Sequence, residues 1–446
     1  MNSLVEYFRC PERYVRIALS GTPSKKKGYF RFGEETLYGN CSGILPSVSP
    51  EALAGNALDR VQTKQATVYL PFDLEQVVDN LRKELYSDWW SGGGQKSVAA
   101  TVYYAVRPLL PVAVRKHLQQ IRLANWSQLR FPHWPVDRTV DGLMEQLLLL
   151  AMRAQNVDQI PFIWFWPEGA SSCAVMTHDV ETAAGVELCR MLMDMNESFG
   201  ISASFQVIPE ERYQVTQTYL DSLRERGFEV AVHDLNHDGR LFHDRKCFSE
   251  RVAKINAYGK QFRTTGFRAG VLYRNQMWYD LLDFEYDMSV PNVAHLDPQR
   301  GGCCTVMPYF VGKVLEIPVT MTQDYSLFHI LKDYSTTLWE QQIELIMEKH
   351  GLINMIAHPD YLTGDRERNL YQALLAHLSR LRQQRQLWIT TPGEVNRWWR
   401  ERAEMTIVES NGQLHIEGRG KERARIAYAT EKDGRLELAV QPAFVA

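Results

Sequence analysis

From about residue 165 the chain alternates short apolar runs with longer amphipathic stretches. CAVMT (173–177) predicts a strand, AGVELCRMLMDMNESFG (184–200) a helix stopped by Gly200, and ISASFQVI (201–208) a strand. A helix over 210–227, a strand FEVAV (228–232), a helix over 248–262 and a strand TGFRA (265–269) follow. NQMWYDLLD, FEYDMSV, LWEQQIELIMEKHG and LINMIA continue the alternation, and YQALLAHLSRLRQQR, LWITT and PGEVNRWWRERA close it. Near-continuous apolar strands between amphipathic helices predict an α/β fold, a parallel sheet covered by helices and either open or closed into a barrel.

The flanks have different rhythms. ATVYLPFD predicts a strand, then a helix with Asp73 as N-cap, Gln76 closing a capping box, and Leu74, Val77, Val78, Leu81 and Leu85 on one face. SGGGQKS (91–97) predicts a flexible break. The basic amphipathic stretch 107–122 and the punctuation FPHWPVD precede a helix DGLMEQLLLLAMRAQ. Two hairpins, turned at Asn411-Gly412 and Asp433-Gly434, end the chain. The expected organisation is an N-terminal α+β unit over 1–95, a helical connector over 96–164, the α/β domain over 165–403 and a β appendage over 404–446.

Composition narrows the function classes. The 446 residues are 45% hydrophobic and 23% charged with a net charge of −3, which gives no reason to expect nucleic-acid binding. No apolar run is long enough to span a membrane, and the first residues lack the apolar core of a secretory signal. A cytoplasmic location is expected, with 107–122 the candidate for peripheral contact with the inner face of a membrane. Seven scattered cysteines read as reduced thiols, and the Cys303-Cys304 pair as part of a loop.

Polar residues then gather at the carboxyl ends of successive strands, the side where α/β folds build their sites. Asp179 and Glu181 follow the first strand, His233 and His237 the third, Arg268 the next, and His358 follows LINMIA. Singly, each has an ordinary role: a helix cap, a turn histidine, a structural ion pair. Together they form a pattern. Residues two apart on an extended segment share a face, so Asp179 and Glu181 project together with Val180 turned into the packing. His233 and His237 share a face where the chain turns helically after its strand. One carboxylate and two imidazoles make a three-ligand set for a divalent metal with a position left for water, and the remaining acid is free to take that water's proton.

THDVE, GFEVAVHDLNH, GFRAG, FEYD and IAHP, in that order over roughly 165–400, resemble the successive motifs of the polysaccharide deacetylases, the NodB homology domain of the carbohydrate esterase family 4 kind. The resemblance implies a distorted (β/α) barrel and a metal-dependent hydrolase, usually with zinc, that removes acetyl from N-acetylated sugars. His233 and His237 match the metal-binding histidines, Asp179 the catalytic base, Arg268 the arginine that orients it, and His358 the histidine that protonates the leaving amine. Most members carry two consecutive aspartates in the first motif; here Val180 replaces the second, and Glu181 fits an acid-x-acid variant as the third ligand. His178 stands where phenylalanine is usual and is expected to point away from Asp179. Asp234 replaces a Ser or Thr. Arg268-Ala269-Gly270 departs from the usual Arg-Pro-Pro beside the oxyanion contact; the metal and a backbone N–H near Tyr273 are expected to stabilise the oxyanion. LEIPVTMTQDYSLF lengthens the approach to His358, and Asp287 and Asp324 are alternative acids to tune it. The expected substrate is an N-acetylated sugar, a sugar nucleotide or a lipid-linked saccharide. A non-catalytic carbohydrate-binding protein on the same fold and an amidohydrolase acting on another C–N bond are the alternatives.

Overall fold

The computed structural model describes residues 2–53, 55–87, 121 and 123–440. The expected break at 91–97 and all of the basic stretch 107–122 but Ile121 lie outside them.

Nine strands make the central sheet. In chain order the domain runs β1 (Cys173–Val180), α1 (Ala183–Ser198), β2 (Ala203–Val207), α2 (Gln217–Glu225), β3 (Glu229–His233), α3 (Arg245–Gln261), β4 (Gly266–Arg268), β5 (Tyr286–Asp287), β6 (Tyr309–Val311), β7 (Val314–Glu316), α4 (Thr337–Met347), β8 (Leu352–Ile356), α5 (Asp365–Arg385), β9 (Trp388–Thr390) and α6 (Pro392–Glu404). The sheet order is β6-β7-β5-β4-β3-β2-β1-β8, parallel except for the β6–β7 hairpin. β9 pairs with Cys173–Val175 of β1, while β2 pairs with Met176–Val180. One strand thus serves two neighbours in succession, which wedges the sheet open at that end. It curls into an incomplete barrel, and the N–H groups of Thr320 and Met321 reach Asn354 O on β8 at 3.3 and 3.2 Å.

All eight residues of β1 are buried, as expected of a parallel strand covered on both faces. Alternation decides the coverage. Ala174, Met176 and Val180 pack outward beneath the helices, whereas Cys173 and Val175 join an inner core. That inner core also contains Leu4, Phe8, Leu37, Val140, Leu147, Phe162 and Trp398. An open barrel leaves apolar strand surface uncovered, and the N-terminal segments fill it. The described residues of 2–87 therefore share a core with the barrel rather than enclosing one alone.

Local differences from the sequence expectations have simple causes. Asp73 does cap the helix Leu74–Arg82, accepting from Gln76 N at 3.0 Å. Gln76 Oε1 turns to Asn40 N at 3.2 Å, so the reciprocal half of the capping box is replaced by a tertiary bond, and Leu85 lies beyond the helix. The helix expected over 210–227 forms only at Gln217–Glu225, because Thr216 caps it through Tyr219 N and Tyr213 is drawn to the sheet, its hydroxyl donating to Val180 O at 2.7 Å. The 275–283 segment forms a 3-10 helix, Gln276–Leu281, and FEYDMSV contributes only Tyr286–Asp287. LEIPVTMTQDYSLF is more than an insertion: it contains most of β7 and the start of a π-helix, Ser326–Leu331.

Both terminal hairpins are present, Thr406–Ser410 with Gln413–Glu417 and Ile426–Lys432 with Arg435–Val440. Their turns place Asn411, Gly412, Asp433 and Gly434 at positive φ, the type I′ geometry that Asn-Gly and Asp-Gly favour. Ile426–Lys432 also pairs with Gln159–Ile163, so the appendage extends a strand that precedes the barrel. All seven cysteines are free, and Cys303 and Cys304 are buried.

Candidate active site

The carboxyl ends of the strands bring the sequence-predicted residues together. Glu181, His233 and His237 offer one ligand atom each, all within 4.8 Å of one another. His237 Nε2 lies 3.0 Å from Glu181 Oε1, and His233 Nε2 lies 3.7 Å from Asp179 Oδ2. Strand alternation explains the convergence of the acids. Thr177 and Asp179 continue the inner face of β1, and Glu181 follows just past its end, while His178 and Val180 face outward.

His233 ends β3, and its Nδ1 faces Arg268 O at 3.2 Å. A carbonyl only accepts, so Nδ1 carries the proton and Nε2 presents its lone pair. Nε2 is buried and has no hydrogen-bond partner. Burial, only partly opposed by Asp179, brings the His233 pKa down to about 4, so the ring is neutral at pH 7. His237 is raised instead: burial would lower it, but the adjacent Glu181 outweighs that. Glu181 is correspondingly lowered, with His237 overcoming its burial. Two buried imidazole nitrogens and one carboxylate fit zinc, whose tetrahedral sites in hydrolases use this donor set and keep a position for water.

The loop after β3 is bent to bring His237 back over His233, with ring centroids 4.9 Å apart. Asp234 (φ 58) and His237 (φ 54) both adopt left-handed backbone, which costs on the order of 1 kcal/mol per residue. The bend is fastened on two sides. Asp234 N donates to Arg268 O at 2.8 Å and Asp234 Oδ2 accepts from Gly270 N at 3.2 Å, while Arg212 donates to His237 O at 2.7 Å. Asp234 and Gly270, both unlike the motifs that the sequence resembles, are therefore matched to each other. A Cβ on Gly270 would stand 2.9 Å from His237 Cδ2 and 2.5 Å from Asp234 Oδ2, so any side chain here would displace the imidazole and the carboxylate.

Asp179 is gripped by Arg268, whose Nη1 donates to Asp179 Oδ1 at 2.6 Å and to Thr177 Oγ1 at 2.9 Å. Arg268 Nε donates to Met288 O at 3.0 Å. Burial alone would raise Asp179, but Arg268 and then His233 override it and hold the carboxyl below its usual range. Oδ2 stays directed at the metal-ligand set.

His358 lies beside Glu181, its Nε2 3.7 Å from Oε1. Asp324 accepts from the His358 backbone N–H and faces its Nδ1, each at 2.6 Å. Burial would lower this imidazolium; Asp324 reverses the effect and brings the pKa up to about 9. The choice between the two candidate acids is thereby decided. Asp287 turns outward to Tyr279 and Ser289. The N–H of Tyr273 donates to Gly270 O at 3.2 Å inside a turn, so it does not face the site as an oxyanion donor.

Sequence reasoning missed Thr177, Arg212 and Tyr361, whose ring lies 5.0 Å from that of His358. The serine-or-threonine class of Thr177 on the same face as Asp179 was a usable signal; the other two come from loops without a pattern. A separate cavity of about 670 Å³ opens where β3 begins, lined by Glu229, Arg263, Glu285 and Arg397 among others. It contains none of the residues above. Among its charges, Arg397 pairs with Glu394 and Arg419 with Glu401.

Solved structures of deacetylases are similar to about half of this chain. A Mycobacterium smegmatis protein assigned as a polysaccharide deacetylase is 15% identical at a TM-score of 0.43, covering 56% of this chain and 97% of its own. The PuuE allantoinase is 12% identical at 0.41, covering 52% and 92%. The peptidoglycan deacetylase PdaC from Bacillus subtilis is 13% identical at 0.33, covering 52% and 93%. No family model and no curated protein matches the sequence. Among the described residues, no helix is long and apolar enough to cross a membrane.

Proposed function

We propose that this protein is a metal-dependent amide hydrolase that releases acetate from an N-acetylated amino sugar or saccharide precursor. The observation that carries the reading is the convergence of Glu181, His233 and His237 between a carboxylate held by Arg268 and an imidazole held by Asp324. The first set has the composition of a hydrolytic zinc site, and the two flanking groups have opposite proton states.

Glu181, His233 and His237 would hold the cation, which supplies Lewis acidity to the acyl carbonyl and lowers the pKa of water. Asp179, ionised and fixed through one oxygen by Arg268, accepts the proton of the attacking water on Oδ2. His358 enters protonated and gives its Nε2 proton to the departing sugar nitrogen, which is otherwise a very poor leaving group. Asp324 keeps Nδ1 protonated, so the reacting proton is the one on the far side of the ring. The products are acetate and a free amine.

The test combines metal analysis with acetate release from a panel of N-acetylated sugars, sugar nucleotides and lipid-linked saccharides. About one zinc per chain with acetate release is expected, and His233→Ala loses both. Zinc with binding but no turnover on the whole panel indicates a carbohydrate-binding protein instead. Cleavage confined to other amides indicates a different C–N hydrolase. Full turnover by metal-stripped His233→Ala would overturn the assignment.

A further inference from the structure

The segment that carries Arg268 continues through a turn most residues avoid. Val271 (φ 60) and Leu272 (φ 52) are both left-handed, and a β-branched residue in that region is an outlier. The surrounding contacts hold it there. Arg274, wholly buried, reaches back through Nη1 to Leu272 O at 2.8 Å. Gln299 exchanges two bonds of 3.0 Å with the Arg274 backbone. The rest of the guanidinium is clamped by Glu84, 190 residues earlier, with Nε 2.7 Å from Oε2 and Nη2 on Oε1. Glu84 also accepts from Gly302 N at 2.6 Å, and Gln276 Nε2 donates to Arg82 O at 2.7 Å.

The turn borders the catalytic groups. Gly270 supports the His237 ring, and Leu272 packs with Val319 and Ile356 in a small apolar cluster apart from both main cores. Ile356 ends β8, two residues before His358. Leu272 lies two residues after Gly270 and Ile356 two before His358, so the cluster links the segments that carry the two groups, and on the hydrolase reading the acyl group of a bound amide is placed against it.

We propose that Glu84, acting through Arg274, is a positioning residue that fixes the Val271–Leu272 turn and so sets the apolar wall that limits acyl length. The N-terminal segment is then part of the active-site architecture. This rests on the hydrolase reading above. Glu84→Gln alone leaves a buried guanidinium poorly compensated and endangers folding. The test therefore uses Glu84→Leu/Arg274→Met, which removes both charges at similar volume, and Arg274→Lys, which keeps the ion pair but cannot bridge Glu84 and Leu272 O together.

The probes are N-acetyl- and N-propionylglucosamine oligosaccharides, with 4-nitrophenyl acetate and propionate as sugar-independent controls. The wild type is expected to prefer acetyl by about tenfold or more, the size of effect one methylene has in a shaped pocket. Both variants should keep their zinc and lose most of that preference, mainly because propionyl turnover rises relative to acetyl. A zinc-loaded, folded variant with the wild-type acetyl-to-propionyl ratio overturns the clamp alone. If the double variant does not fold, Arg274→Lys decides. A wild type that releases neither acyl group from any probe overturns the hydrolase reading and this proposal with it.

Discussion

Asp324 holds His358 at two points, the backbone N–H and ring Nδ1, both at 2.6 Å and across 34 residues of chain. A carboxylate bonded in this way fixes the ring orientation and favours its protonated form. Asp324→Asn keeps the shape and removes the charge. Turnover of an amide should fall by about 10²- to 10⁴-fold, while an activated aryl ester, whose leaving group needs no proton, loses little. Parallel kcat measurements on the two substrate types check this, and equal losses on both would rule out His358 as the acid.

The two acids of the first motif should separate by phenotype. Asp179→Asn retains zinc and loses about 10²- to 10⁴-fold in kcat, since only proton acceptance is removed. Glu181→Gln loses zinc, because an amide oxygen is a far weaker ligand than a carboxylate in this donor set. Zinc content after dialysis, measured beside acetate release, distinguishes them. The reverse pattern would exchange the two roles.

Gly270→Ala tests the cradle under His237. The new methyl carbon would meet His237 Cδ2 at 2.9 Å, so the ligand ring must move. Zinc affinity should drop by about 10- to 100-fold, the range seen when groups that orient a metal ligand are disturbed. The unfolding midpoint should change little, and competition with a chelator reads the effect directly.

Acid stability should depend on His178. Its Nδ1 donates to Ala357 O at 3.1 Å and its Nε2 accepts from Asn196 Nδ2 at 3.2 Å, while the Tyr371 hydroxyl, 3.3 Å from Nε2, donates to Asn196 Oδ1 at 3.1 Å. Burial lowers its pKa from 6.5 to about 4. The unfolded chain therefore binds a proton below pH 6.5 that the folded chain refuses until about pH 4. Stability falls as pH falls through that window, by roughly 3 kcal/mol from this group. His178→Phe removes the dependence but leaves Asn196 short of an acceptor, so the variant is less stable at pH 7 by about 1 to 3 kcal/mol and flatter between pH 6.5 and 4. Thermal melts across that range compare the two slopes.

Much of this site was legible from spacing. The period-two alternation of a strand separates Asp179 from His178 with no knowledge of the fold, and the structure keeps them on opposite faces. The four-residue step from His233 to His237 also brings the pair together, though through two left-handed residues rather than a helical turn. Helices ended where caps and tertiary bonds competed with propensity, as at Gln76 and Tyr213.

What the sequence determined by itself is local and periodic: which strands exist, which side chains share a face, and which strand ends carry acids and imidazoles. Only the tertiary structure decided between Asp324 and Asp287, placed Glu84 against Arg274 and covered the inner face with the N-terminal segments. Those choices depend on contacts spanning tens to hundreds of residues. Their register is set by how far the sheet curls and where it stays open, and no local period encodes that.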